Sequence, residues 1–186
     1  MKRLLRPYLA LLMMGSLMFT TTACSDDDPE PVEEQELITT LTINLQPEAG
    51  KGQPVSATFS DPDGPGGSDP TVSTLNLVPN TTYTATITVS DDSPNGAGNL
   101  TPEIEAEGDE HELFYTVPSG LNLTVSKTDL DKNNRPIGLE ATFVTGAASS
   151  GTMKVTLKHQ PGLKGNTSDI TKGETDVEAD FPVVIQ

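Results

Sequence analysis

The chain has 186 residues, with 27 acidic side chains against 11 Lys and Arg, a formal charge of −16. A field of that sign repels nucleic acid and anionic lipid, so both are excluded as expected partners. A single cysteine excludes any internal disulfide, and the length suits one domain with a proper core.

Residues 1–23 are built like a secretion signal. Lys2, Arg3 and Arg6 form a basic head, and Tyr8 to Phe19 is an apolar run broken only by Gly15 and Ser16. The run is too short to span a bilayer, and the small Ala23 precedes Cys24. The segment resembles a bacterial lipoprotein signal, with Thr21 where the motif usually has Leu. That resemblance implies Cys24 as the lipidated residue, acylated with palmitate-type chains and anchored in the bilayer.

Ser25-Asp26-Asp27-Asp28 follows directly and resembles the surface-export signal of Bacteroidetes lipoproteins. It implies the outer membrane as location, with the protein facing the exterior. Charge, proline and missing periodicity make residues 24–36 a lipidated cysteine on an acidic, disordered tether. Without residues 1–23 the chain keeps 8 Lys and Arg against 27 acids, which is −19 over 163 residues.

Residues 37–186 read as one β domain. Leu41, Ile43 and Leu45 alternate with Thr40, Thr42 and Asn44, and Val55, Ala57 and Phe59 with Ser56 and Thr58. The same period of two covers Tyr83–Val89, Leu121–Val125, Leu139–Phe143, Met153–Leu157 and Val177–Val183. Such alternation buries one face and wets the other. Turn signals divide the runs at Pro47–Pro54, Asp61–Pro70, Ser93–Asn99, Lys132–Pro136 and Pro161–Gly173. About nine short strands at this spacing predict an all-β, antiparallel two-sheet sandwich, immunoglobulin-like in the broad sense. Thr101-Pro102-Glu103 predicts one short helical turn, with Thr101 as cap and an end near Gly108. His111, Leu113, Tyr115 and Val117 then resume the strand pattern.

Two constellations could bind a metal. Asp129, Asp131 and Asn133 stand at positions 1, 3 and 5 of a loop, and Glu140 at position 12, the spacing of an EF-hand calcium loop. Asn134 stands at the usual glycine position, and Glu140 is expected on the wet face of its strand. His111 and His159 each fall at the inward-facing end of a strand. If those ends meet, both imidazoles with Asp109 or Glu110 would form a zinc-like nitrogen and oxygen site. Asp61, Asp63 and Asp69 form a further acidic loop whose composition is that of a turn. The cofactor expectation is thus calcium or zinc.

Other chemistries find little support. Only Phe59, Tyr83, Phe114, Tyr115, Phe143 and Phe181 are aromatic beyond the signal, which leaves few faces for stacking sugars. No nucleophile elbow and no Gly-rich phosphate loop appears, so no catalytic residue is expected and the protein is read as a non-enzyme.

The runs Asp109–Tyr115, Thr128–Asn133, His159–Lys164 and Gly173–Val177 resemble a family of small Bacteroidetes outer-membrane lipoproteins often labelled type 1 periplasmic binding fold proteins. The label implies two α/β lobes, whereas the residues here favour strands. Together these readings lead to a membrane-anchored surface module that captures a ligand or metal ion beside an outer-membrane transporter. The alternative is a structural or adhesin-like envelope protein that binds another protein.

Overall fold

The alternation seen along the chain becomes two packed sheets. The computed structural model describes residues 36–186, so the expected signal segment, Cys24 and the tether to residue 35 lie outside the described residues. The strands are β1 (Thr40–Pro47), β2 (Val55–Ser60), β3 (Thr71–Val72), β4 (Leu75–Leu77), β5 (Thr82–Asp91) and β6 (Gly98–Asn99). After helix α1 (Thr101–Ala106) come β7 (His111–Thr116), β8 (Leu123–Lys127), β9 (Glu140–Thr145), β10 (Ser149–His159) and β11 (Glu174–Ile185).

One sheet runs β3-β2-β1-β5-β9-β8, with β6 added to β5, and the other runs β4-β11-β10-β7. The expected β-sandwich is what forms. Eleven strands replace the expected nine or so, because β3, β4 and β6 are only two or three residues long. Such pieces are too brief to show a period. The expectation of purely antiparallel pairing needs one correction, since β4 pairs with β11 in parallel.

The core lies between the inner faces. Leu41, Ile43, Tyr83, Ile87 and Phe143 from the first sheet are buried with Leu113, Met153, Leu157, Phe181 and Ile185 from the second. The exposed faces carry the threonines of β1 and β5, where β-branching suits the pleat.

Helix α1 forms as expected, but Thr101 is not its cap. Leu100 takes that position without a side-chain hydrogen bond. The Thr101 hydroxyl instead accepts from the Val89 amide at 2.9 Å and donates to the Val89 carbonyl. The helix is thereby fastened to β5, and Ile104 is driven into the core.

Phe181 sits fully buried in the centre of β11. Phe181→Ala is expected to cost about 3–5 kcal/mol, the range for removing a buried phenyl ring. Urea unfolding checks this; a change below about 1 kcal/mol would show that the inner faces are not close-packed.

Candidate functional site

The two histidines meet. His111 opens β7, His159 closes β10, and the ladder sets them directly opposite each other. Their rings stack with centroids 4.6 Å apart and planes within 10°. This corrects the expected two-imidazole chelate. Ring nitrogens hold metals through lone pairs in the ring plane, and parallel rings aim those lone pairs side by side rather than at one point.

His111 instead joins carboxylates. Its Nδ1 lies 3.3 Å from the Glu107 carbonyl oxygen, which can only accept, so Nδ1 carries the hydrogen and Nε2 the lone pair. Nε2 is 3.8 Å from Asp176 Oδ2, and both side chains are 1% exposed. Glu36, Glu107 and His111 each place one ligand atom within 4.8 Å of the others. On the far side of the stack, His159 Nε2 is 3.7 Å from Glu110 Oε2.

Local structure explains each placement. The turn that follows α1 is closed by the Glu110 and His111 amides, both donating to the Glu107 carbonyl. The Asp176 side chain is re-aimed by a β-bulge. Leu157 pairs with Val177 and Lys158 with Thr175, which leaves Asp176 as the extra residue in the ladder. Gly173 lets the returning chain pass close to His159; a Cβ there would stand 2.0 Å from the His159 carbonyl oxygen. No other residue fits that approach.

The electrostatics follow from burial and crowding. Glu36 is pushed up to about 7, first by desolvation and then by Glu103, Asp176 and Glu107. Its Oε2 is buried with no hydrogen-bond partner among the described residues. Burial lowers His111 to about 4, with the neighbouring His159 adding to the effect, so the His111 ring is neutral at pH 7. Neutral imidazole and gathered carboxylates are the donor set of a divalent transition metal.

The other predicted ligands are placed elsewhere. Asp109 is taken up by an ion pair with Lys132 at 2.9 Å. Asp129 accepts from the Gly138 and Leu139 amides at 2.7 and 2.8 Å. Asp131 Oδ1 accepts from the Asn133 and Arg135 amides, and its Oδ2 from Arg135 Nε. Burial works against ionisation of Asp131, but those amides and the nearby cations hold its carboxyl below the usual range. The EF-hand-like reading is corrected accordingly. These oxygens are taken by the loop's own donors, Asn133 lends a backbone N–H to Asp131, and Glu140 stays exposed opposite Thr86. Asn134 does adopt the left-handed conformation, at φ 59°. The Asp61 loop is a turn, with Asp63 accepting from the Ser68 amide at 2.8 Å.

The sequence pointed to His111, His159 and Glu110, and missed Glu36, Glu107 and Asp176. Glu36 reads as the last residue of the tether, and Glu107 as one more acid at the end of an acid-rich helix. Asp176 falls on the wet face in strict alternation, and nothing in the local sequence announces the bulge. Comparison with known protein families, curated proteins and solved structures finds no match to this chain.

His111 fixes a pH dependence. Its folded pKa lies below the unfolded value of 6.5, so the unfolded chain takes up the proton first as pH falls. Stability present above pH 6.5 is lost between about 6.5 and 4. Glu36 acts with the opposite sign: the stability from its raised pKa is fully present below 4.5 and is lost as pH rises from 4.5 through about 7. His111→Gln is expected to flatten the acid limb in urea unfolding measured from pH 7 to 4. An unchanged slope would show that His111 is not the group being charged.

Proposed function

We propose that this protein is a lipid-anchored surface module, not an enzyme, whose domain captures a zinc-type divalent cation through His111, Glu107 and Glu36, with Asp176 beside them. The carrying observation is the convergence of one ligand atom from each of Glu36, Glu107 and His111 within 4.8 Å. The tautomer supports the same reading. An Nδ1–H bonded to a backbone carbonyl orients the ring and leaves Nε2 as the donor atom, the arrangement common among metal-bound histidines. The mixture of imidazole and carboxylate suits zinc better than calcium, which prefers oxygen alone. His159 flanks the site by stacking on His111 rather than by ligation, with Glu110 beside its outer edge.

The anchoring half of the proposal rests on the residues around Cys24 and on the resemblance to surface lipoproteins of Bacteroidetes. It puts the module in the outer membrane, facing outward, beside a transporter or another envelope protein that receives the cation. The strongly acidic composition favours cationic ligands over anionic ones.

Titration calorimetry of the purified protein with Zn²⁺ at pH 7.5 is expected to show one saturable site. His111→Ala and Glu107→Gln should each weaken it at least ~10-fold, as loss of a ligand does, while the remote Glu48→Gln leaves it unchanged. Weak heats that are equal in all variants would end the cation reading. The anchor is checked separately. Cells fed a labelled palmitate analogue should label the wild-type protein and not Cys24→Ala; label that persists without Cys24 removes the anchoring argument.

A further inference from the structure

A second concavity lies away from the histidines. It is a cleft of about 400 Å³ over the outer face of β5, walled by α1 on one side and by residues 129–132 and 137–140 on the other. That volume is in the range of small-molecule sites. Its floor is formed by Thr86 and Thr88, with Ile137 and Leu139 buried at the base. Leu130 forms a lip and is 56% exposed, a large apolar side chain left in water at the mouth.

The charges around this apolar floor are unbalanced. Five carboxylates line the cleft, from Glu105, Asp109, Asp129, Asp131 and Glu140, against the single ammonium of Lys132. Asp109 is answered by Lys132, and Asp129 and Asp131 by the loop's amides and Arg135. Glu105 and Glu140 remain exposed and have no ion-pair partner among the described residues. Two uncompensated carboxylates beside a greasy floor, inside a cleft large enough to enclose a whole molecule, define a ligand by its chemistry. We infer that this cleft binds a small organic ammonium ion: the apolar body lies against Leu130, Thr86 and Thr88, and the cationic head sits between Glu105 and Glu140. The head gains Coulomb energy in a partly desolvated site, and the body gains from burial of the exposed leucine. The site is independent of the cation centre, since no ligand atom is shared.

Amide chemical-shift titration of the full chain tests this, with phenethylammonium as the probe and the neutral isostere 2-phenylethanol as its control. Saturable shifts are expected at Thr86, Thr88, Leu130 and Glu140 with the ammonium. The alcohol should bind at least ~10-fold more weakly, as should the ammonium in the double variant Glu105→Gln, Glu140→Gln; tenfold corresponds to 1.4 kcal/mol. Both positions are exposed, so the variant is expected to fold, and its retained dispersion of amide signals checks that. Thr88→Trp, which fills the floor, should abolish the shifts. His111→Ala should leave them intact, which separates failure here from failure of the cation site. Absence of saturable shifts at those four amides would overturn the inference, as would equal affinity for the alcohol or unchanged binding by the double variant.

Discussion

A single buried ammonium group holds together the part of the molecule that carries the site. Lys164 is 1% exposed at its side chain, and its Nζ donates to the carbonyls of Gly108 and His111 and stands 3.4 Å from Asp131 Oδ2. Three separate segments meet on that nitrogen: the chain after β10, the turn between α1 and β7, and the loop after β8. Arg135 repeats the pattern by donating to Asp131 and to the carbonyls of Lys164 and Asp109. Burial lowers the pKa of Lys164, and Asp131 and Glu112 act against that shift. Such a group is tolerable only when its hydrogens are all answered, and removing one partner of a buried pair costs about 3–5 kcal/mol. The position of His111 is therefore set by cations that never touch its ring.

The same device recurs on the outer face of β7. Glu112 is buried there and accepts from Lys127 of β8 and Ser168. The Lys127 ammonium also lies 4.3 Å from the Phe114 ring centroid. The stretch between β10 and β11 is thus a lid of irregular chain fixed by charged groups, with Gln160 adding amide bonds to the Asp169 and Lys172 carbonyls. Ordinary packing makes the sandwich, and a set of buried charges closes one end of it around the histidines.

This division explains what could be read from the sequence. Every strand with three or more alternating apolar residues was legible, because burial on one face writes itself into a period of two. The meeting of His111 and His159 was half legible: both are in phase with their neighbours, but their register depends on strand pairing. The acids were the hard part. An aspartate in a loop looks the same whether it binds calcium or caps its own backbone, and Asp129 and Asp131 do the latter. Thr101 shows the same ambiguity, since a hydroxyl that could cap a helix is spent on Val89. Asp176 was hidden because a bulge inverts the facing of one residue without changing the residues around it. Glu36 was hidden because an acid after a charged run carries no sign that it folds back against the domain.

The order of strands has a consequence for how the fold is reached. β11 lies between β4 and β10, and its twelve residues form ladders with both. All its partners precede it in the chain, and β4 lies about a hundred residues upstream. Until β11 arrives, β10 has only β7, and β4 has no place in the sheet. Half of the core would face solvent while the first sheet is already complete but for its cover. Closure of the second sheet therefore waits for its last strand, and contacts this distant make closing slow. A chain in that condition keeps its core open for longer than one built from neighbouring hairpins, and the sandwich closes only when its C-terminal strand docks.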